Sequence, residues 1–411
     1  MKKILIIPPQ FYPIPAVKGG AVEVLITQLI QENEIHNKAK LYVISKADED
    51  AQRIKFNNTK IFYLNSNEKP SFLFRIKCFF RKIFFNRLTK KIFKKSTYGF
   101  MELTYFAYRC KRIAKKIKPD IVVSESYDRV HRLWPLVKLV GKDNFYYHLH
   151  YTKEEVLSVR QLIPNTIAIS QFVLDHWVKN KILPGRNVVL FNGIDIDLFD
   201  NKLTTDEVDE IRTSYGLNKD DFVVLFSGRL RPHKGVLELL KSFDSIKVKN
   251  IKLLLAGHFL SESKEHNIDE SDFENSCRAI IDNNSNIIRL GNVDYSEINK
   301  LYFISNIQVI PSMWEEGAGL VAIEGMASGL PLIITNSGGM PEYTGKECTI
   351  IIERDNSLIK NLAKSIMDLY KNPSLCEKMS TAGIDRAKQF SKENYYKNYM
   401  DILLKEDGIN E

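Results

Sequence analysis

Cysteine is sparse in this chain, and its placement is uninformative. Five occur in 411 residues, Cys78, Cys110, Cys277, Cys348 and Cys376, with no CxxC pair and no Cys/His cluster. An odd, scattered set argues against a disulfide scaffold and a thiolate zinc site, and reads as free thiols in a reducing cytoplasm. Long apolar runs are missing too. No window approaches the roughly 18 consecutive apolar residues of a membrane-spanning helix. The opening MKKILIIPPQ starts like a secretory signal, but its apolar run stops at Pro8, short of the roughly 7–15 residues that a signal requires. It reads as a first strand. Neither GxGxxG nor a Walker A loop is found, so a nicotinamide fingerprint and a P-loop are unsupported.

What is present is length and uneven charge. A chain of 411 residues exceeds one typical core and fits two domains. The net charge is +9, but residues 1–200 hold 34 Lys/Arg against 18 Asp/Glu, and the remainder holds 25 against 32. A basic half joined to a mildly acidic half implies two domains with different partners.

Short runs rich in Val, Ile, Leu, Phe and Tyr recur, each followed by a turn and a helical stretch. They lie at 3–8, 41–45, 61–65, 120–125, 145–150, 166–170 and 187–193, then at 222–228, 251–257, 286–291, 307–312, 330–335 and 349–353. Without polar alternation they fit strands buried on both faces, and strand–helix alternation predicts parallel sheets of the α/β class. So many strands divide into two sheets of six or seven. The polar, Asp-rich stretch NGIDIDLFDNKLTTDE places the boundary between Asn192 and Tyr215. Domains are therefore expected at 1–200 and 201–389. A terminal helix follows over 390–411, with Ser391 as its N-cap.

Four stretches carry chemistry. In VKGGAVEVLITQLI, Gly19 and Gly20 precede an apolar helix whose free N–H groups suit an anion; a plain flexible loop is the alternative. In LFSGRLRPHKGVLELL, Arg229 and Lys234 follow a buried strand and suit a diphosphate, or form a solvated basic turn. In PSMWEEGAGLVAIEGMASGLP, Glu316 precedes a helix and Glu324 lies within it. Carboxylates accept hydrogen bonds from vicinal hydroxyls, and the helix start takes an anion. Glu324 sits among Ala322, Ile323 and Met326, where a carboxylate needs a partner. In FYYHLHYTKE, His148 and His150 share one face of a strand. A metal pair is conceivable, but no third ligand follows at useful spacing.

Together with VLFNGIDIDLF and GGMPE, these motifs resemble, in order and spacing, the retaining glycosyltransferases of family 4, of the spore-coat and polysaccharide-synthesis type. The resemblance implies a GT-B fold: two Rossmann-like doubly wound domains facing across a cleft, with the C-terminal helix crossing back to the first. It implies that Arg229 and Lys234 hold the donor diphosphate, helped by Gly19, Gly20 and the helix start at Gly317, Ala318, Gly319 and Leu320. Glu324 takes the ribose hydroxyls and Glu316 those of the transferred sugar. His150 lies near the sugar, and Asn292 and Val293 face the base. One departure is visible: the family's EEPFG is here Glu315-Glu316-Gly317-Ala318-Gly319.

The implied activity is transfer of a hexose or N-acetylhexosamine from a nucleotide-diphosphate sugar, a UDP-sugar first, to a surface glycan that is lipid-linked or free. Fixed cations stabilise the leaving diphosphate, so no metal or other cofactor is expected. The Asp195-Ile196-Asp197 triplet lies in the expected hinge and reads as structural. A GT-B epimerase and a non-catalytic partner subunit are the alternatives. Residues 71–118 hold 15 Lys/Arg against Glu102 alone, and Phe72, Ile76, Phe79, Phe80 and Ile83 share one helical arc. That pattern fits contact with an anionic membrane surface, at the inner face of the cell membrane, better than nucleic acid. A core-packed helix with a basic edge is the competing reading.

Overall fold

The computed structural model describes residues 1–9, 11–65, 68, 70–72, 74–76, 97–125, 133–152, 165–179, 185–200, 203–262, 270–294 and 296–404. They form two compact units, residues 1–190 with 395–411, and residues 191–394.

In the first unit seven parallel strands line up as β3-β2-β1-β4-β5-β6-β7. They are β1 Lys3–Ile7, β2 Lys40–Lys46, β3 Thr59–Leu64, β4 Ile121–Glu125, β5 Phe145–Leu149, β6 Asn165–Ala168 and β7 Asn187–Val189. In the second unit the order is β10-β9-β8-β11-β12-β13. These strands are β8 Phe222–Ser227, β9 Ile251–Ala256, β10 Ile287–Gly291, β11 Ile307–Ile310, β12 Leu332–Thr335 and β13 Thr349–Ile352. All thirteen expected runs become strands, most of them trimmed at their ends.

The unbroken apolar runs have a direct cause. In β8, Val224 and Phe226 enter one core cluster while Val223 and Leu225 enter another; β9 divides likewise, Leu253 and Leu255 against Leu254 and Ala256. Alternate residues serve opposite faces, and both faces are covered, so neither set is polar. At roughly 1.5–3 kcal/mol per buried aliphatic side chain, these strands dominate the stability of the unit.

The boundary falls before Phe191, ahead of the expected 192–215 window. Phe191 stacks edge-on against Tyr343 and Phe390, at 5.0 and 5.7 Å between ring centroids, and the Asn192 N–H donates to the Tyr343 hydroxyl. These contacts tie the polar stretch to the second unit. Asp195, the first acid of the triplet, pairs with Lys392 at 2.6 Å.

The terminal helix, Lys392–Leu404, begins after Ser391, whose hydroxyl accepts from the Asn394 N–H. Tyr395, Tyr396, Tyr399, Met400 and Leu403 fill the first unit's core beside Leu25, Leu29 and Ile30 of helix Ala21–His36.

The competing reading of the basic segment holds for its second part. Helix Thr97–Ile117 buries Ala107, Cys110, Ala114 and Ile117, one face at helical spacing. Phe74 packs against Tyr105 and Tyr108, at 5.3 and 5.2 Å between centroids, while Phe72 is exposed and Ile76 marginally so. Residues 73 and 77–96, including Phe79, Phe80 and Ile83, lie outside the described residues.

Candidate functional site

In open parallel sheets, ligands bind beyond the carboxyl ends of the strands, where the strand order reverses. In the second sheet this point lies between β8 and β11, which are neighbours although β9 and β10 intervene in sequence. The β8 loop carries Arg229 and Lys234; the β11 loop carries Glu316.

After β8, residues Pro232–Lys234 form a single 3₁₀ turn, and Gly235 (φ +69°) starts helix Val236–Asp244. A Cβ on Gly235 would stand 1.8 Å from the Pro311 carbonyl oxygen, so only glycine lets the two loops close on each other. Gly338 (φ +53°), from GGMPE, is fixed in the same way: a Cβ there would stand 2.3 Å from the Glu316 carbonyl oxygen. The Gly339 N–H donates to that oxygen at 2.7 Å, so GGMPE acts as the buttress of the β11 loop.

This closure joins two of the expected residues. Lys234 Nζ lies 2.6 Å from Glu316 Oε1, and the Ser312 hydroxyl donates to the same oxygen at 2.7 Å. Arg229 is exposed and has no carboxylate within ion-pair range among the described residues. The loop is electropositive: burial first, then the charges of Lys234 and Arg229, lowers the His233 pKa, with Glu316 opposing.

Gly319 is the N-cap of helix Leu320–Ala327. Ala318, Leu320 and Val293 pack against one core cluster, and Asn292 is exposed beyond β10. Glu324 is nine-tenths buried within that helix and does not meet Glu316. Its partner is Tyr302, whose hydroxyl donates to Oε2 at 2.7 Å. Burial pushes the Glu324 pKa up to about 7, and the Tyr302 hydrogen bond opposes the rise.

The first unit holds the remaining expected residues. Gly19 is exposed and Gly20 half-buried before helix Ala21–His36. The helix start carries its own acid: Glu23 Oε1 accepts from the Tyr12 N–H, and Oε2 lies where a Cβ on Gly20 would reach within 2.4 Å. Burial raises the Glu23 pKa.

His148 and His150 do gain a third group, Glu125, in place of the missing neighbour in sequence. Parallel register sets Glu125 of β4 directly beside His148 of β5. His148 Nδ1 and His150 Nε2 lie 2.8 and 2.7 Å from Glu125 Oε2, and the Tyr399 hydroxyl donates to Oε1. Two imidazoles and a carboxylate are a donor set that zinc accepts. Here both nitrogens converge on one carboxylate oxygen, and His150 Nε2 is hydrogen-bonded to it.

Ser312, Tyr302, Ser337 and Glu125 escaped the sequence reading. Each acts on a residue that was singled out, Ser337 by accepting from the Glu316 N–H at 3.3 Å; Ser312 lies inside the PSMWEEGAGLVAIEGMASGLP stretch, and the other three lie outside the four stretches.

Residues 207–386 match the family described as Glycosyl transferases group 1. An uncharacterized glycosyltransferase of Methanocaldococcus jannaschii is 32% identical over 160 residues, 39% of this chain and 38% of that protein. That alignment thus spans well under half of its relative. A lipopolysaccharide 1,2-N-acetylglucosaminetransferase of Salmonella typhimurium is 24% identical over 384 residues, 90% of each chain. Among solved structures, a glycosyltransferase from Rickettsia africae superposes with a TM-score of 0.75 at 22% identity, over 98% of this chain and 97% of that one. The family signature lies on the second sheet's switch-point loops, within residues 207–386, and the two parallel sheets are shared almost end to end: this part of the chain is similar to the group 1 glycosyltransferases, and the fold is GT-B.

Proposed function

We propose that the chain moves a hexose or N-acetylhexosamine from a nucleotide-diphosphate sugar to a hydroxyl of a growing surface glycan, with retention at the anomeric carbon as in family 4. The Lys234–Glu316 contact at the switch point carries the reading. It sets a phosphate-binding cation beside a hydroxyl-binding carboxylate, on loops that Gly235 and Gly338 hold together. Arg229 supplies a second cation on the same loop. A diphosphate at Lys234 competes with Glu316 for the ammonium group and leaves the carboxylate to accept from sugar hydroxyls. Fixed cations favour the leaving diphosphate more as its charge grows, which lowers the barrier without a metal. His150 lies at the end of β5 in the first unit and is proposed to act near the sugar. At Gly19 and Gly20 the neighbouring Glu23 carboxylate would repel a phosphate.

A UDP-sugar is the donor that the resemblance favours, and the Salmonella relative, named for N-acetylglucosamine transfer, makes UDP-N-acetylglucosamine the first donor to try. Mass spectrometry of purified protein with a panel of nucleotide-sugars tests the reading. Hydrolysis, transfer or binding of one donor is expected; a blank across UDP-, GDP- and ADP-sugars rejects it. A non-catalytic partner subunit fits less well, because Lys234, Ser312 and Glu316 form an assembled cluster.

The acceptor is proposed to be lipid-linked and the chain peripheral at the inner membrane face. Support comes from the 15 basic residues of 71–118 and the exposed Phe72. Among the described residues no helix is long and apolar enough to cross a membrane. Sedimentation with vesicles should show binding to phosphatidylglycerol-containing but not pure phosphatidylcholine vesicles. Equal recovery with both ends this part of the proposal.

A further inference from the structure

Beneath Glu324 lies a polar network built from three further elements. Tyr302, on helix Ile298–Phe303, is fully buried. Its hydroxyl donates to Glu324 Oε2 at 2.7 Å and lies 2.9 Å from Ser227 Oγ, at the end of β8. Gln308 of β11 is also fully buried, and its Nε2 is 3.4 Å from both the Tyr302 and the Ser227 oxygens. A phenol inside an apolar cluster is costly unless its hydroxyl is paired. Here the pairing converges on one oxygen of one carboxylate. The other oxygen, Oε1, accepts nothing from the described residues and is not sealed from solvent. The carboxylate is thus divided, one oxygen fixed from inside the fold and one presented outward.

We infer that Tyr302 is a positioning residue for nucleotide recognition: by holding Glu324 Oε2 it aims Oε1 at a ribose hydroxyl, and so makes the protein select ribonucleoside over deoxyribonucleoside diphosphates. The inference rests on the proposed role of Glu324 and adds the element that gives it selectivity. A carboxylate free to rotate loses entropy on grasping a hydroxyl and bonds it with poorer geometry. A carboxylate held at one oxygen has already lost that freedom, and a ligand lacking the hydroxyl leaves it unpaired. Ser227 takes part by orienting the Tyr302 hydroxyl. Gly325 keeps the network compact, since a Cβ there would stand 2.0 Å from Gln308 Oε1.

Calorimetric titration of the full chain with UDP, GDP and ADP, each beside its 2′-deoxy counterpart, tests the inference. The wild type should bind its preferred ribonucleotide about tenfold or more tightly than the deoxy form. Tyr302→Phe should bring that ratio close to one while the affinity for the deoxy form stays the same. Ser227→Ala should lower the ratio by a smaller factor. It stands as the second variant should the buried Tyr302→Phe fail to fold by circular dichroism. Glu324→Ala separates the two layers. Should Glu324→Ala abolish selectivity while Tyr302→Phe, or Ser227→Ala in its place, keeps the wild-type ratio, the Tyr302 inference is overturned and the ribose role of Glu324 stands. Should the wild type itself bind both forms equally, the 2′-hydroxyl is not read and the inference falls.

Discussion

Replacing Lys234 by alanine is expected to cut kcat/KM for the nucleotide-sugar by about a hundred- to a thousandfold, the range seen when one preorganised charge-stabilising donor is removed. The argument starts from position. Gly235 and Pro311 lock the β8 loop onto the β11 loop, so the ammonium group is held at the sheet's switch point before any ligand arrives. A fixed cation acts most strongly where negative charge grows, which is on the leaving diphosphate. Binding should report the same bias. Affinity for the nucleoside diphosphate should drop by about ten- to a hundredfold, the worth of one charged hydrogen bond, while affinity for the free nucleoside stays unchanged. Titration of both ligands against Lys234→Ala measures the difference. An equal loss for the two would mean that Lys234 supports the loop and not the phosphates. Glu316→Gln gives the complementary arm: the ion pair weakens, Lys234 becomes more available, and nucleoside diphosphate should bind as tightly as before or tighter, with turnover reduced.

Acid should act on the two units with opposite signs. In the first unit, burial and then the neighbouring His148 lower the His150 pKa from 6.5 to about 4, against the pull of Glu125. Between these values the unfolded chain takes up a proton that the folded chain refuses. Stability from the neutral ring is therefore present above pH 6.5 and lost as pH falls to 4, by about 3 kcal/mol. Glu125 adds to the loss at still lower pH. Burial opposes its ionisation, but the charge and hydrogen bonds of His148 and His150 prevail and hold its carboxyl below the usual range. In the second unit, Glu324 is raised from 4.5 to about 7. The folded chain holds that proton more tightly, so its stabilisation is present below pH 4.5 and lost as pH rises through 7. Hydrogen exchange read as protection factors separates the two. From pH 7.5 to 4.5, amides of β4 and β5 should lose protection while those of helix Leu320–Ala327 gain it. His150→Gln should flatten the first change only. A uniform response across both units would refute the assignment.

How far the sequence carried depended on the range of the interaction. Thirteen strands were legible because each is a local run whose two faces are both buried, so the pattern needs no knowledge of neighbours. The helix that holds Glu324 was legible for the same reason, and so was its need for a partner. The partner was not. Tyr302 lies 22 residues away, on a short helix with no motif. Glu125 was missed because the search for a third group followed chain spacing, whereas the parallel register of β4 and β5 supplies it from 23 residues upstream. Lys234 and Glu316, 82 residues apart, were each marked for a ligand, and their contact emerges only from the closeness that Gly235 permits. The basic segment failed in another way. Its charge and aromatic content favoured a membrane face but also fit a packed helix, and burial of Ala107, Cys110, Ala114 and Ile117 bears only on its second part.

The first unit takes five core side chains from residues 395–403, on the far side of the entire second unit. During synthesis the ribosome delivers the first seven strands early, yet their core stays open until some two hundred further residues have emerged. The leading unit therefore cannot complete its core before the second unit has been synthesised. The second unit, complete by residue 394, can close before the first, and the nascent first sheet waits with apolar surface uncovered. A chain interrupted anywhere before Tyr395 leaves the first core without these five side chains.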